Sequence, residues 1–429
     1  CSKKIFVFSF FNFFHIMKVS KIRINGIDNP IGFSFDTISC SWLVSNTKAK
    51  KTEMVKIDVA QDKEFKNILF HKEGTNLNSS CEPLEVTIEP CTRYYVRVHA
   101  TSDQNEEAEG VGFFETSKIN QKWEAKWLKP RSEDQYHPIF EKDFEVKENI
   151  VSARLYISGL GLYTAKLNGK RIGDEVFTPY YSDYNTDVQY QTFDIKEYLQ
   201  KTNQIHVELG NGWYKGYFGH EGKDKNWGSE FQILAEIRIR YSDKTEQIIG
   251  TDDTWTYYGS DTEGSDIYNG EIINRLLWEG KENPKKKPVE GQIKGKLIER
   301  YSLPVTEHDH MKVHEVIKTP AGETVLDFGQ NFAGYIQFNN KYPKGTKIVI
   351  DYGEILQQGN FYNKNYKNAK AQIVYVSNGK EELVKPQFTY CSFRYARITG
   401  LGDKVDKDDF LGISLYSDME ITGYIETGN

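Results

Sequence analysis

Ala153-Arg154-Leu155-Tyr156-Ile157-Ser158-Gly159-Leu160-Gly161-Leu162-Tyr163-Thr164-Ala165-Lys166-Leu167-Asn168-Gly169-Lys170-Arg171-Ile172-Gly173-Asp174 runs as two alternating segments around a central Asn168-Gly169 pair. Apolar residues at every second position are the mark of strands with one buried face. Asn-Gly between such runs predicts a two-residue type I′ hairpin, because that turn needs positive φ at both central residues. Further strands are predicted at 188–194, 204–209, 231–241 and 246–249. Together these segments describe a jelly-roll sandwich.

Upstream, from 19 to 116, short alternating segments are separated by Asn, Gly, Ser and Lys clusters, the rhythm of a small antiparallel sandwich. Trp42, in Ser39-Cys40-Ser41-Trp42-Leu43-Val44, is a candidate core residue of an early strand. In Ile88-Glu89-Pro90-Cys91-Thr92-Arg93-Tyr94-Tyr95-Val96-Arg97-Val98-His99-Ala100, alternation puts Tyr94, Val96, Val98 and Ala100 on one face. It also places a tyrosine where sandwiches use one to tie down a corner. This region resembles a fibronectin type III domain, which implies a role in spacing and docking.

Composition agrees with an all-β chain of several cores. The 429 residues exceed what one core organises, and 27 Tyr and 25 Phe against 4 Met suit pleated, half-buried surfaces better than helical bundles. A formal net charge of −6 offers no basic field, which argues against nucleic acid as a partner. Lys285-Lys286-Lys287, flanked by Pro284 and Pro288, reads as a solvated linker. Cysteines at 1, 40, 81, 91 and 391 form no CxxC pair and no even framework, a usage expected in a reducing compartment.

Lys3-Lys4 followed by the apolar run 5–16 imitates a signal peptide, but no small-residue cleavage site follows and Met17 opens a polar, alternating stretch. Segment 1–16 is therefore expected to be upstream sequence and the protein cytoplasmic, with export as the alternative. No apolar run reaches the roughly 20 residues that span a bilayer.

The run 153–174, with Thr178-Pro179 and Asp183-Tyr184 after it and Leu209-Gly210-Asn211-Gly212-Trp213-Tyr214 beyond, resembles the N-terminal domain of bacterial α-L-rhamnosidases. A second set of motifs lies downstream: Val325-Leu326-Asp327-Phe328-Gly329-Gln330-Asn331-Phe332-Ala333-Gly334, Gly345-Thr346, Tyr352-Gly353-Glu354-Ile355-Leu356, Pro386-Gln387-Phe388-Thr389-Tyr390 and Phe393-Arg394-Tyr395. These resemble the concanavalin-like β-sandwich that precedes the catalytic barrel in the same family. Two departures stand out. Tyr390-Cys391-Ser392 replaces the family's Tyr-His-Gly, and Gly270-Glu271-Ile272-Ile273-Asn274-Arg275 only loosely follows its Gly-Glu motif ending in Asp-Ala-Arg.

The resemblance implies three consecutive antiparallel β-sandwiches: a fibronectin III-like unit at 17–118, a jelly roll at 119–300 and a concanavalin-like unit at 301–418. Residues 419–429 are then the opening of an (α/α)6 catalytic barrel. Family members resemble inverting glycosidases, in which one carboxylic acid protonates the leaving oxygen and a second carboxylate activates water. The resemblance places both carboxyls on the barrel, so this chain alone is expected to be inactive.

Glu271 and Glu354 are the acids most able to face a groove, but an isolated acid more often serves an ion pair, and Arg394 or Arg397 is the expected partner of Glu354. No Gly-x-Ser-x-Gly elbow is present. Glu307-His308-Asp309-His310 with His314 invites a metal reading, against which stands a solvated approach to the next sandwich.

A sugar site needs aromatic faces for C–H stacking and short polar side chains for hydroxyls. One region supplies both. Asn211, Trp213 and Tyr214, then 220–227 with Asp224, Asn226 and Trp227, are expected to meet Tyr181 and Asp183 at one end of the jelly roll. The plainer alternative makes Trp213 and Tyr214 core and rim of the sandwich. Some domains similar to this one bind rhamnose through calcium, and the oxygens of Asp183, Asp224 and Asn226 suit a hard cation.

The expected role is the ancillary N-terminal part of an α-L-rhamnosidase, positioning domains and holding rhamnose-containing glycans without cleaving them. Its partners would be such a glycan and the catalytic domain, with no nucleic acid and no membrane. A structural or adhesive β-sandwich protein without sugar binding is the alternative.

Overall fold

The computed structural model describes residues 16–219 and 222–428. All but Ile16 of the signal-like run, and His220 of the aromatic loop, lie outside the described residues. Regular structure is almost entirely strand, and the chain divides into two compact units, one up to Lys122 and one from Trp123 onward.

The first unit stacks a four-stranded sheet on a five-stranded one. Strand Arg93–Ser102 alternates strictly between buried and half-buried positions, so Tyr94, Val96, Val98 and Ala100 enter one core with Trp42 and Phe114. The Tyr94 ring stacks on Phe114 at 5.0 Å between centroids, and its hydroxyl accepts the Glu89 N–H at 2.7 Å. That bond closes a tyrosine corner, linking the strand to the turn that feeds it.

The second unit opens with two facing sheets. One is seven-stranded, with Gln232–Tyr241, Ile150–Leu160 and Asp187–Asp194 at its centre; the other is five-stranded, with Leu162–Leu167, Thr202–Gly210 and Pro138–Glu145. Leu155, Ile157, Val207, Leu209, Ile237, Trp255 and Tyr257 fill the space between them. The turn at Asn168 and Gly169 has φ of +54° and +79°, the type I′ geometry that its residue types predict.

A ten-stranded sheet follows and curls around a core of Leu326, Ile336, Ile350, Tyr352, Phe393 and Phe410. Its longest strand, Thr324–Asn340, shifts register between Asp327 and Phe332, which lets it bend. Thr262–Asp266 and Gly270–Asn274, inside the stretch that the sequence assigns to the jelly roll, pair into this later sheet.

The sheets are not purely antiparallel. Ile31–Phe33 with Glu107–Thr116, Asp187–Asp194 with Lys296–Glu299, and Gly270–Asn274 with Gln372–Val376 run parallel. These partners come from distant segments rather than through hairpins, and a hairpin is what enforces the antiparallel sense.

Glu271, on a strand of this later sheet, positions the residue that joins the two sandwiches of the second unit. Its carboxyl is fully buried and accepts the N–H groups of Gln387 at 2.9 Å and Phe388 at 2.8 Å. Phe388, held in this way, fills a satellite core with Leu162, Phe177, Tyr335 and Ile413.

Candidate functional site

Where strand Thr202–Gly210 ends, the short helix Gly212–Lys215 carries Trp213 and Tyr214 over the edge of the jelly roll. The loop that faces it, residues 177–186, is anchored from below. Tyr180 donates to Glu175 at 2.7 Å, and Glu175 is paired with the buried Arg300 at 2.5 and 3.0 Å. Tyr181 and Tyr184 extend from this loop. The ring of Tyr181 lies 6.2 Å from both Trp213 and Trp227, and that of Tyr184 lies 5.2 Å from Tyr214 and 5.7 Å from Trp227.

A pocket of about 260 Å³ opens between Tyr184, Tyr214 and Trp227, with Glu230, Gln232 and Lys294 supplying polar groups. Gly228 makes it possible: a Cβ there would fall 2.0 Å from the Tyr214 hydroxyl. Burial, and after it the charge of Glu230, raises the Tyr214 pKa from a range in which the phenol is already protonated at neutral pH. Gln232 is almost fully buried. Its Nε2 donates to the Gln292 carbonyl at 2.9 Å, while its Oε1 has no hydrogen-bond partner among the described residues. A buried acceptor left without a donor costs about 1–3 kcal/mol; this one is closed off from solvent beside Gly291, where a Cβ would fall 2.2 Å from it.

The residues expected from sequence divide into three groups. Tyr214 and Trp227 line the pocket, and Tyr181, 49% exposed, stands beside it. Trp213 instead packs among Phe177, Tyr181 and the apolar cluster around Leu160, which is the structural role weighed against sugar contact. Asn211 belongs to a different network, donating to Asp266 at 3.1 Å while its own N–H is held by Ser265 at 2.9 Å. Its Oδ1 is buried without a partner among the described residues.

The three oxygen donors suggested for calcium each serve their own loop. Asp183 accepts from the Asn185 N–H and the Thr186 hydroxyl, Asp224 lies 3.5 Å from Lys225, and Asn226 donates to the Lys223 carbonyl. Among the described residues no group of three or more His, Cys, Asp or Glu side chains is arranged to hold a metal ion. His308 stacks on Tyr416 at 3.6 Å and shares hydrogen bonds with Thr306 and the Tyr416 carbonyl. Tyr184 closes the stretch 180–184 that the sequence sets against the aromatic loop, whereas Glu230, Gln232 and Lys294 were missed. Glu230 lies three residues beyond Trp227, Gln232 sits within a strand, and Lys294 arrives from a remote connection with no local signal.

Neither acid singled out is poised for acid–base work. Glu271 faces backbone amides, and burial pushes its pKa up to about 8. Glu354 does not pair with an arginine: it accepts from Asn365 at 2.8 Å and Ser392 at 3.0 Å. Arg394 is taken by Asp327 at 2.8 and 2.9 Å, and Arg397 by Asp351 and Glu323, both at 2.9 Å. Sheet register decides this, since Arg397 sits directly across from Asp351.

Family models match three successive stretches. Residues 19–120 match a Rha78A-like N-terminal immunoglobulin domain, 148–285 an α-L-rhamnosidase N-terminal domain, and 317–416 a bacterial α-L-rhamnosidase concanavalin-like domain. An α-L-rhamnosidase of Streptomyces avermitilis is 28% identical over 298 residues, covering 66% of this chain and 29% of the relative. One of Formosa agariphila is 25% identical over 469 residues, covering 95% and 48%.

Among solved structures, native α-L-rhamnosidase of Aspergillus terreus superposes with a TM-score of 0.87 at 26% identity, covering 96% of this chain and 50% of that one. The Streptomyces avermitilis enzyme in complex with L-rhamnose gives 0.86 at 17% identity, covering 94% and 57%, and shows the shared fold. The chain thus spans half or less of the length of the two relatives matched by sequence. With all three domain models matched in succession and the β-architecture shared along the chain, this protein belongs to the bacterial α-L-rhamnosidase family, to whose N-terminal region it corresponds.

Proposed function

We propose that this chain is the domain-positioning and sugar-holding part of an α-L-rhamnosidase, and that the pocket between Tyr184, Tyr214 and Trp227 receives an L-rhamnosyl group. The observation that carries the reading is a pocket of sugar-ring size walled by Tyr184, Tyr214 and Trp227, with Glu230, Gln232 and Lys294 supplying polar groups. Rhamnose presents a C–H face and a methyl group to such walls, and its hydroxyls can bond to the polar groups of Glu230 and Lys294 at the rim. A relative of the same fold has been crystallised with L-rhamnose. In a protein of the relatives' length, the held glycan would be offered to a carboxylate pair working by inversion. Glu271 and Glu354, both committed to other partners, would take no part in hydrolysis.

Calorimetric titration of the full chain with L-rhamnose, with and without calcium, tests this. Binding in the millimolar range is expected, weakened roughly tenfold by Trp227→Ala. Calcium dependence would require Asp183, Asp224 and Asn226 to give up their loop contacts, and a calcium-induced rise in melting temperature would report it. No heat at millimolar sugar under either condition overturns the sugar-holding role and favours the purely structural one.

A further inference from the structure

Next to the aromatic pocket, and sharing Ser229 and Glu230 with it as a common wall, lies a second cleft of about 240 Å³. Three cations line it: Arg131, Lys215 and Lys225. The two acids in its lining are already engaged by cations that lie outside it. Both oxygens of Glu230 accept from Lys129, at 2.8 and 2.9 Å, and Asp134 is held by Lys286 and the Tyr257 hydroxyl, each at 2.5 Å. Lys225 lies 3.5 Å from the exposed Asp224.

Lys215 differs from its neighbours. It is half-buried, its ammonium lies 3.9 Å from the centre of the Phe231 ring, and no carboxylate of the described residues is within ion-pair distance. Burial, and then the neighbouring Lys225, press its pKa down, with Asp266 and Asp224 opposing. The same positive field, second to burial, helps push the buried His137 down to about 3. A desolvated cation that keeps only an aromatic face for company is stabilised strongly by an anion brought into the cleft.

We propose that this cleft recognises an acidic group, a carboxylate or a sulfate ester, on the sugar next to the one held in the aromatic pocket. The inference rests on the sugar-holding reading and extends it from a neutral deoxy sugar to an acidic glycan. Both cavities are smaller than the roughly 300–1,000 Å³ of larger ligand sites, which suits one ring in each.

Titration of the full chain with four probes tests the proposal: L-rhamnose, a disaccharide of L-rhamnose and glucuronic acid, the methyl ester of that disaccharide, and a disaccharide of L-rhamnose and a sulfated glucose. The acidic disaccharide is expected to bind about tenfold more tightly than its ester, with the gap closing at high salt. Lys215→Met should bring the acid down to the level of the ester while leaving L-rhamnose unchanged. Because Lys215 packs on Phe231, Arg131→Gln, at an exposed site, provides a second variant that does not threaten the fold and should narrow the same gap.

A preference for the sulfated sugar over the glucuronate would assign the cleft to sulfate esters, and the reverse to carboxylates. Equal binding of acid and ester, or a gap that survives both substitutions, overturns the anion cleft and leaves the aromatic pocket standing. An acid preference that is insensitive to Trp227→Ala, with no binding of L-rhamnose, overturns the pocket instead. Absence of binding by every probe overturns both.

Discussion

Glu271 shows how one side chain can be structural and still sensitive to pH. Burial raises its pKa to about 8 from an ordinary 4.5, so the folded chain holds a proton there that the unfolded chain releases. Between those two values the folded state binds more protons, and stability therefore falls as pH rises. The contribution is fully present below about 4.5 and is lost as pH passes through about 8. Glu271→Gln keeps a carbonyl acceptor for the N–H groups of Gln387 and Phe388 but cannot ionise. Melting temperatures of this variant are expected to decline less between pH 5 and pH 8 than those of the wild type. Parallel pH profiles for the two proteins would show that Glu271 titrates normally.

At the scale of single elements, the Asn168-Gly169 hairpin and the tyrosine corner are held by different means. Gly169 sits at φ +79° with open space where a Cβ would go, so Gly169→Ala meets no clash and incurs only the left-handed backbone penalty, about 1 kcal/mol. Urea unfolding should show that loss with an unchanged m-value. A neutral or stabilising effect would mean that the turn adopts another geometry in solution. Gly228, by contrast, is required for space. Its backbone lies against the Tyr214 hydroxyl, so the pocket's shape and its glycine cannot be varied separately.

The whole molecule consists of two compact units with separate cores: Trp42, Tyr94 and Phe114 in the first, and the clusters around Leu155 and around Phe393 in the second. Units with independent cores need not unfold together. Scanning calorimetry is expected to resolve more than one transition. Tyr94→Phe leaves the Glu89 N–H without its acceptor and should lower one transition alone, by about 4–8 °C per kcal/mol lost for a unit of this size. A single transition that moves as a whole would instead show the units to be energetically coupled.

Local signals in the chain foretold a good deal at every scale. Alternation in Arg93–Ser102 and positive φ at Asn168-Gly169 depend on neighbouring residues, and so strands, hairpin and the tyrosine corner could be read directly. Tyr214 and Trp227 were readable for a similar reason, since aromatics recur along the chain from 213 to 227, but the same signal drew in Trp213, which packs inside. What alternation cannot report is which strands meet, and in what register. That is why Glu354 was expected to face an arginine that Asp327 or Asp351 already holds, and why Gly270–Asn274 joined a sheet beyond its assigned domain. The Gln232 acceptor and the Lys215 ammonium, each without a hydrogen-bond or carboxylate partner among the described residues, likewise arise only when remote segments converge and exclude water, because burial is a property of packing and not of any single stretch.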